Sequence, residues 1–323
     1  MVERIEASAT AEEVAPGERF DQVAARLFPD FSRSRLQAWI RDGALTVDGV
    51  PLRPREKVPP GARLRLSAEL EAAVGWQGQP MALDIIYEDD SILVLDKPAG
   101  LVVHPAAGHR DGTLVNALIN HHAAMSQLPR GGIVHRLDKD TSGIMVAAKT
   151  LQSHAHLVEQ LQARSVGRQY DAVCIGAMTG GATVDAPMGR HPRQRKKMAV
   201  VHQGGKSAIT HYRVARRFGH HTHVRVRLET GRTHQIRVHL AHRHYPLVGD
   251  PVYGGRPKIP AGASQLLVDA LRAFPRQALH ARELRLLHPR DEQEMVFACP
   301  LPEDLQGLLA TLAAEDPPDG HGG

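Results

Sequence analysis

A chain of 323 residues with 42% hydrophobic but only 4% aromatic residues is long enough for two domains, whose cores must be built from Leu, Val, Ile and Ala. Its two cysteines, Cys174 and Cys299, lie far apart with no CxxC spacing, which excludes a disulfide framework or cysteine-ligated zinc and points to a reducing compartment. The net charge of +5 hides a polarised distribution: thirteen Lys or Arg face one acid, Glu229, between Ala186 and Arg237, and no Lys or Arg follows Arg290. Such a segment is the footprint of a polyanion partner, since a merely solvated surface intersperses both signs. The acidic start, MVERIEASATAEEVAPG, lacks the apolar core of a secretory signal, and no apolar run is long enough to span a bilayer. A cytoplasmic protein without a membrane partner is expected.

In chain order, FDQVAARLF places Phe20, Val23, Ala24 and Leu27 on one helical face. SRSRLQAWIRDG predicts a second helix, capped by Ser32, burying Leu36, Trp39 and Ile40 and stopping at Gly43. ALTVDGVPLRP carries a hairpin turn signal at Asp48–Gly49, and RLRLSAEL reads as a strand with Leu64 and Leu66 inward. Arg33, Arg35 and Arg41 line the exposed side of the second helix. On the RSRLQAWIRDGALTVDGV stretch this unit, residues 18–70, resembles the S4 RNA-binding domain, and the resemblance implies RNA contact by those three arginines.

Residues 71–82 lose periodicity and read as a linker. From residue 83 to 312 strands dominate: IIY, ILVLD, GIMVAAKT, RQYDAVCIGAM, SAITHYRVARRF, HVRVRLET and MVFACP, with helices at LVNALINHH and HAHLVEQLQAR. Without a βα repeat, the expected class is α+β on a mixed, mainly antiparallel sheet. Residues 313–323 are expected to be a disordered tail.

The stretch GIVHRLDKDTSGIMV, 132–146, sets ionisable residues between apolar runs. DKDTSG fits the first half of a calcium loop, but the position that needs a bidentate Glu is Lys149, which repels the ion. Histidines cluster at 220, 221 and 223 and at 239, 242 and 244 without HExxH, so no metal site is expected. GGKS at 204–207 lacks the first glycine of a phosphate loop, and no GxSxG elbow occurs. What remains is a carboxylate among cations: Asp138 between Arg136 and Lys139, with Arg232 and Arg237 in GRTHQIRVHL. A guanidinium beside a buried Asp keeps it ionised, which leaves a nucleophile, a base and a structural ion pair all open.

GIVHRLDKDTSGIMVAAKT (132–150), the stretch 228–255 and RQALHARELRLLHP (276–289) resemble the RluA family of pseudouridine synthases, with HRLD as that family's catalytic motif. The S4-like N-terminus and the DKPAGLVVHP run narrow the likeness to the D-type branch, and the resemblance covers roughly residues 18–310. It implies cofactor-free isomerisation of uridine in large-subunit ribosomal RNA; nothing in the sequence demands a partner chain, so a monomer is expected. By position in the motifs, Asp138 is the essential carboxylate, attacking covalently or removing a sugar proton. Tyr170 in RQY lies beside the target base, and Arg237 pairs with the Asp, with Arg232 the next candidate for that contact. Arg136 fills the space left by the extruded base. Arg190, Arg193, Lys196 and Lys197 are expected to meet RNA phosphates. The same chemistry on other ribosomal or transfer RNA sites is one alternative; a non-catalytic RNA-binding assembly factor is another.

Overall fold

The computed structural model describes residues 3–15, 17–28, 31, 33–70, 76–105, 111–194 and 197–317, without the side chains of 3, 4, 33–35, 69 and 70. The chain divides into two compact units, Met1–Gly75 and Trp76–Gly323.

In the smaller unit, β1 (Glu3–Thr10), α1 (Phe20–Leu27), α2 (Arg33–Arg41), β2 (Leu45–Val47) and β3 (Arg63–Leu70) follow in order. The three strands pair antiparallel as β1-β3-β2. Phe20, Val23, Leu36, Ile40, Leu64 and Leu66 close a core under this sheet, in keeping with the apolar periodicity of the sequence. Gly43 ends α2 with φ +73°, a left-handed conformation that suits glycine, while Ser32, the expected cap, lies outside the described residues. The turn at Asp48–Gly49 forms and Val50 bridges back to Val47, but no returning strand follows. Pro51, Pro54, Pro59 and Pro60 remove ladder donors there, so β2 pairs with β3 instead. β1 lies ahead of the expected boundary at residue 18; its small Ala and Ser residues carry little hydrophobic signal.

The larger unit begins with residues 76–82, which the sequence places in a linker but which are tied to this unit. Asn116 donates from Nδ2 to Gln77 O at 2.9 Å, and Gln79 N–H donates to Asn116 O at 3.0 Å. The first half of the unit holds β4 (Asp84–Glu88), β5 (Ile92–Lys97), α3 (Leu114–His121), β6 (Ser142–Ala148), α4 (Leu151–Gln162) and β7 (Gly167–Ile175). Next come β8 (Ala182–Asp185), β9 (Met188–Arg190), β10 (Met198–Val200), β11 (Ile209–Arg217), β12 (His221–Leu228) and α5 (Gln235–His242). α6 (Gln265–Ala273), β13 (Leu279–Leu287), β14 (Glu294–Ala298) and α7 (Glu303–Glu315) complete it.

Nine strands form one sheet in the order β4-β5-β6-β13-β7-β12-β11-β8, with β14 on β13. All pairs are antiparallel except β6 with β13, so the class is the expected mixed, mainly antiparallel α+β. At that parallel contact Ala281 passes so close to Gly143 (φ +116°) that a Cβ there would stand 2.2 Å from its carbonyl oxygen. β5 and β6 are buried on both faces, which is why they read as unbroken apolar runs.

α6 and α7 pack a second core against Val173 and Phe218. Part of the expected disordered tail is therefore ordered: Leu312 is buried, α7 runs to Glu315, and Asp316 is fixed beyond it. Its carboxylate bonds His220 Nδ1 at 2.9 Å and His221 Nδ1 at 2.8 Å. Residues 318–323 lie outside the described residues.

Candidate active site

The loop carrying Asp138 leaves a single bridge, Ile133 to Ala147, and re-enters the sheet at β6. Two buried cations shape it. The Lys97 ammonium, fully buried at the end of β5, donates to the carbonyls of Pro98 (2.6 Å), Leu101 (3.0 Å) and Lys139 (3.0 Å). Burial pushes this lysine down to about 8, while nearby Asp140 acts in the opposite direction. Arg276 is held by Asp304 and donates from NH1 to Asp140 O at 3.1 Å. Together they fix the backbone on the C-terminal side of Asp138, at residues 139 and 140.

Asp138 is 15% exposed, and its Oδ2 accepts from Arg237 NH1 at 3.0 Å. Arg237 stands on α5, where burial on every side leaves its guanidinium dependent on carboxylates. Its Nε and NH2 fork onto Asp250 at 2.7 and 2.9 Å, and its face lies over the Tyr253 ring at 5.1 Å. Burial alone would raise the Asp250 carboxyl, but Arg237 and the N–H groups of Tyr253 and Val252 outweigh it and hold the group below the usual carboxylate range. Burial works against charge on Arg237 too, yet Asp250 and Asp138 more than offset it, so its pKa is raised and it remains charged. Asp250, Arg237 and Asp138 are thus a linear relay of charge in which only the last carboxylate reaches the cavity.

The other oxygen of Asp138, Oδ1, faces His234 Nε2 at 3.9 Å. His234 caps α5 in a left-handed conformation (φ +57°), a strain of about 1–2 kcal/mol for a residue with a side chain. Its Nδ1 meets the Tyr253 hydroxyl at 2.8 Å, and that hydroxyl already accepts from Met198 N–H at 3.0 Å. With that N–H accepted, the hydroxyl has its own proton to donate to Nδ1, and in that tautomer the imidazole proton is on Nε2, toward Asp138. Burial lowers the His234 pKa despite the nearby Asp138 charge, so the ring is neutral at pH 7.

A cavity of about 820 Å³ opens above Asp138, a size that encloses a small ligand. Tyr170 and Arg168, two residues apart on one face of β7, line it from one side; Arg237 and His234 line it from the other. Arg136 and Arg232 stand exposed at its rim. Burial raises the Tyr170 phenol, against which Arg168 works to lower it. Arg168 is 6% exposed: NH2 donates to Glu229 O at 3.2 Å, and its buried Nε has no partner among the described residues. Burial also pushes His135 down to about 3 and His104 to about 4, so both are neutral imidazoles. His135 Nε2 accepts from Val146 N–H at 3.1 Å. The Asp138 carboxylate thus sits in a cavity walled by an aromatic ring and rimmed by guanidinium groups, an arrangement suited to a nucleotide.

The RNA pseudouridylate synthase family model matches residues 91–242, and the S4 domain model matches residues 18–64. A Pseudomonas aeruginosa protein named ribosomal large subunit pseudouridine synthase D is 64% identical over 92% of each chain. Its Escherichia coli K12 namesake is 51% identical over 98% of this chain and 97% of its own. The chain belongs to the RNA pseudouridylate synthase family. Among solved structures, human RNA pseudouridylate synthase domain containing 4 aligns with a TM-score of 0.57 at 27% identity, covering 71% of this chain and 93% of that one.

The fold of this synthase brings Asp138, Tyr170, Arg237, Arg136 and Arg232 to one cavity. Of the two arginines open as partners of Asp138, Arg237 makes the contact, while Arg232 donates from Nε to Ser207 O at 3.1 Å. Arg190 and Arg193 are exposed outside the residues that line the cavity, and Lys197 donates to Val252 O at 3.0 Å. Arg41 is exposed on α2. Lys196 and the side chains of Arg33 and Arg35 lie outside the described residues. Sequence reasoning missed Asp250, Tyr253, His234 and Arg168. The first three lie within the stretch 228–255 that carries the family resemblance, and strand alternation from Tyr170 would have placed Arg168 on the same face.

Proposed function

We propose that this synthase isomerises uridines of large-subunit ribosomal RNA, as a cytoplasmic monomer without a cofactor. The reading of substrate rests on the names of the bacterial relatives. The reading of mechanism rests on one observation: Arg237 grips a single oxygen of the cavity-lining Asp138, while Oδ1 has no hydrogen bond among the described residues, its nearest ionisable neighbour being His234 Nε2 at 3.9 Å. In the reaction the N1–C1′ bond breaks, the uracil turns over, C5 bonds to C1′, the C5 proton leaves and N1 gains one. Whether Asp138 attacks C1′ or takes the C2′ proton, it needs one oxygen ionised and unengaged, and a fixed partner on the other.

Tyr170 stacks on the base and receives the C5 proton in this reading, since its phenol lines the same cavity. Arg237 orients the carboxylate, and Arg136 at the rim fills the gap left by the flipped nucleotide. Arg232, Arg190, Arg193, Lys196 and Lys197 are the phosphate contacts of the larger unit, and Arg33, Arg35 and Arg41 those of the S4 domain. Two linked binding units raise the effective concentration of RNA at each other.

Tritium release from C5-labelled RNA tests this, with wild type and Asp138→Asn offered naked large-subunit RNA, large-subunit particles and transfer RNA. Release by wild type alone, from ribosomal RNA, is expected. Release by the variant would remove Asp138 from the mechanism; release only from transfer RNA would overturn the substrate.

A further inference from the structure

The central sheet has a second face. Tyr170 and Arg168 point from β7 to the cavity, so Gln169 and Asp171 point the other way. The register carries that opposite face outward: Asp171 lies across from Arg225, and Gln169 from Arg227. On the next strand Arg213 lies across from Arg225, and His211 from Arg227. Arg213, Arg225 and Arg227 are all exposed, and none has a carboxylate within salt-bridge distance among the described residues.

The acids of this face make their hydrogen bonds and ion pairs with other groups, although the charge of Arg225 also helps to lower the Asp171 carboxyl across from it. Asp171 is held by His223 at 2.7 Å and Arg282 at 3.4 Å, Glu283 by Gln169, and Glu229 by His211 at 2.6 Å and Arg164 at 3.3 Å. Like charges directly opposite on paired strands destabilise a sheet, and nothing in the packing of this fold calls for Arg213 against Arg225. The three groups are spaced by the sheet itself, about 5 Å across strands and about 7 Å along one. That is a rigid comb with a pitch comparable to successive phosphates of a nucleic-acid strand.

We infer that Arg213, Arg225 and Arg227 form a second RNA-backbone surface, on the face of the sheet opposite the catalytic cavity. It takes a segment of the same ribosomal RNA outside the target hairpin. The inference rests on the substrate proposed above. RNA is favoured over an acidic protein because no large exposed hydrophobic residue lies on β7, β11 or β12, and protein interfaces need apolar or aromatic anchors at their centre. Interfaces with nucleic acid are instead polar and strongly cationic. A face turned away from the reacting base contributes affinity and discrimination between RNAs, without touching the chemistry.

The test is the triple variant Arg213→Gln, Arg225→Gln, Arg227→Gln, with its thermal melting compared with wild type. Binding to large-subunit RNA is measured across a salt series, and pseudouridine formation on a short target hairpin alongside. Expected are unchanged turnover on the hairpin, at least tenfold weaker binding to the long RNA, and a salt slope flatter by about 2–3, roughly one per lost contact. The triple Lys variant should retain the binding. An unchanged salt slope on the long RNA overturns the inference, and so does an equal loss on the hairpin. A loss seen only with protein-bearing particles also overturns it, in favour of a protein partner. The wild-type reaction on long RNA checks the substrate separately: if it fails, that reading falls, whereas an active wild type with an unaffected variant sinks only the second surface.

Discussion

Asp250→Asn is the sharpest test of how the site holds its carboxylate. Asp250 Oδ1 accepts Arg237 NH2 at 2.9 Å, Val252 N–H at 2.9 Å and Tyr253 N–H at 3.0 Å, while Oδ2 accepts only Arg237 Nε at 2.7 Å. An asparagine keeps most of these bonds by placing its oxygen at Oδ1. Its amide then meets Arg237 Nε, donor against donor, at a distance that permits neither. The guanidinium must swing away, and NH1 leaves Asp138. Breaking a buried pair costs about 3–5 kcal/mol, and the lower end applies here because three bonds can persist. A misplacement of about 1 Å at the reacting group lowers turnover by about 100-fold. Single-turnover pseudouridine formation, RNA affinity and thermal melting should therefore show a large loss of rate, unchanged binding and a moderately lower Tm. A variant with wild-type turnover and only a lower Tm would refute the relay, leaving Asp250 as a structural anchor. Arg237→Lys is the companion: it keeps charge but loses the fork, and should fail to restore the rate.

Arg168→Met removes a buried cation whose Nε is unpartnered, so stability should hold or rise by about 1 kcal/mol while turnover falls at least tenfold; denaturant titration and single-turnover rates decide it, and a parallel loss of both would make Arg168 structural. Lys97→Met strands three carbonyls that now share one ammonium, and should lower stability by about 2–4 kcal/mol in urea melts. Gly143→Ala forces a Cβ against the Ala281 carbonyl at a left-handed φ and should cost more than about 4 kcal/mol, seen as loss of soluble folded protein. For pH, folded His104 and His135 resist protons down to about 4 and 3, whereas the unfolded chain takes them up near 6.5. Between those values the unfolded state binds more protons, so stability is complete above about pH 6.5 and declines as pH falls through the window. Melting temperatures of His135→Gln against wild type from pH 7 to pH 4 should show a shallower decline in the variant.

What the sequence revealed depended on whether a residue's environment leaves a periodic trace. α1 and α2 bury one face each, so Phe20, Val23, Leu36 and Ile40 were legible. α5 was not, because Gln235 through Leu240 are all buried and a helix covered on every side has no apolar stripe. β1 was hidden for the opposite reason, its Ala and Ser residues being too small to mark an inward face. The same logic separates the members of the site. Asp138 stood out because charge between apolar runs violates a strand pattern. The Asp250–Arg237 fork did not, since its partners lie thirteen residues apart, one on α5 and one in the turn after it, and only the fold returns them to contact.

Arg168 shows where the two kinds of legibility meet. Period-two alternation from Tyr170 puts it on the buried face of β7, where an arginine contradicts the pattern as much as Asp138 contradicts its own. An ion pair would explain the contradiction, but no carboxylate lies within salt-bridge distance of it among the described residues, and its Nε is unsatisfied. Its charge instead acts on the neighbouring phenol: burial raises the Tyr170 pKa, and Arg168 offsets part of that rise. The phenol stays raised overall, because burial outweighs the cation; Arg168 brings the tyrosine nearer to the form that the proposed C5 proton transfer needs. The cost in stability and the gain in reactivity then have one cause, which is why the two readouts for Arg168→Met are expected to move in opposite directions.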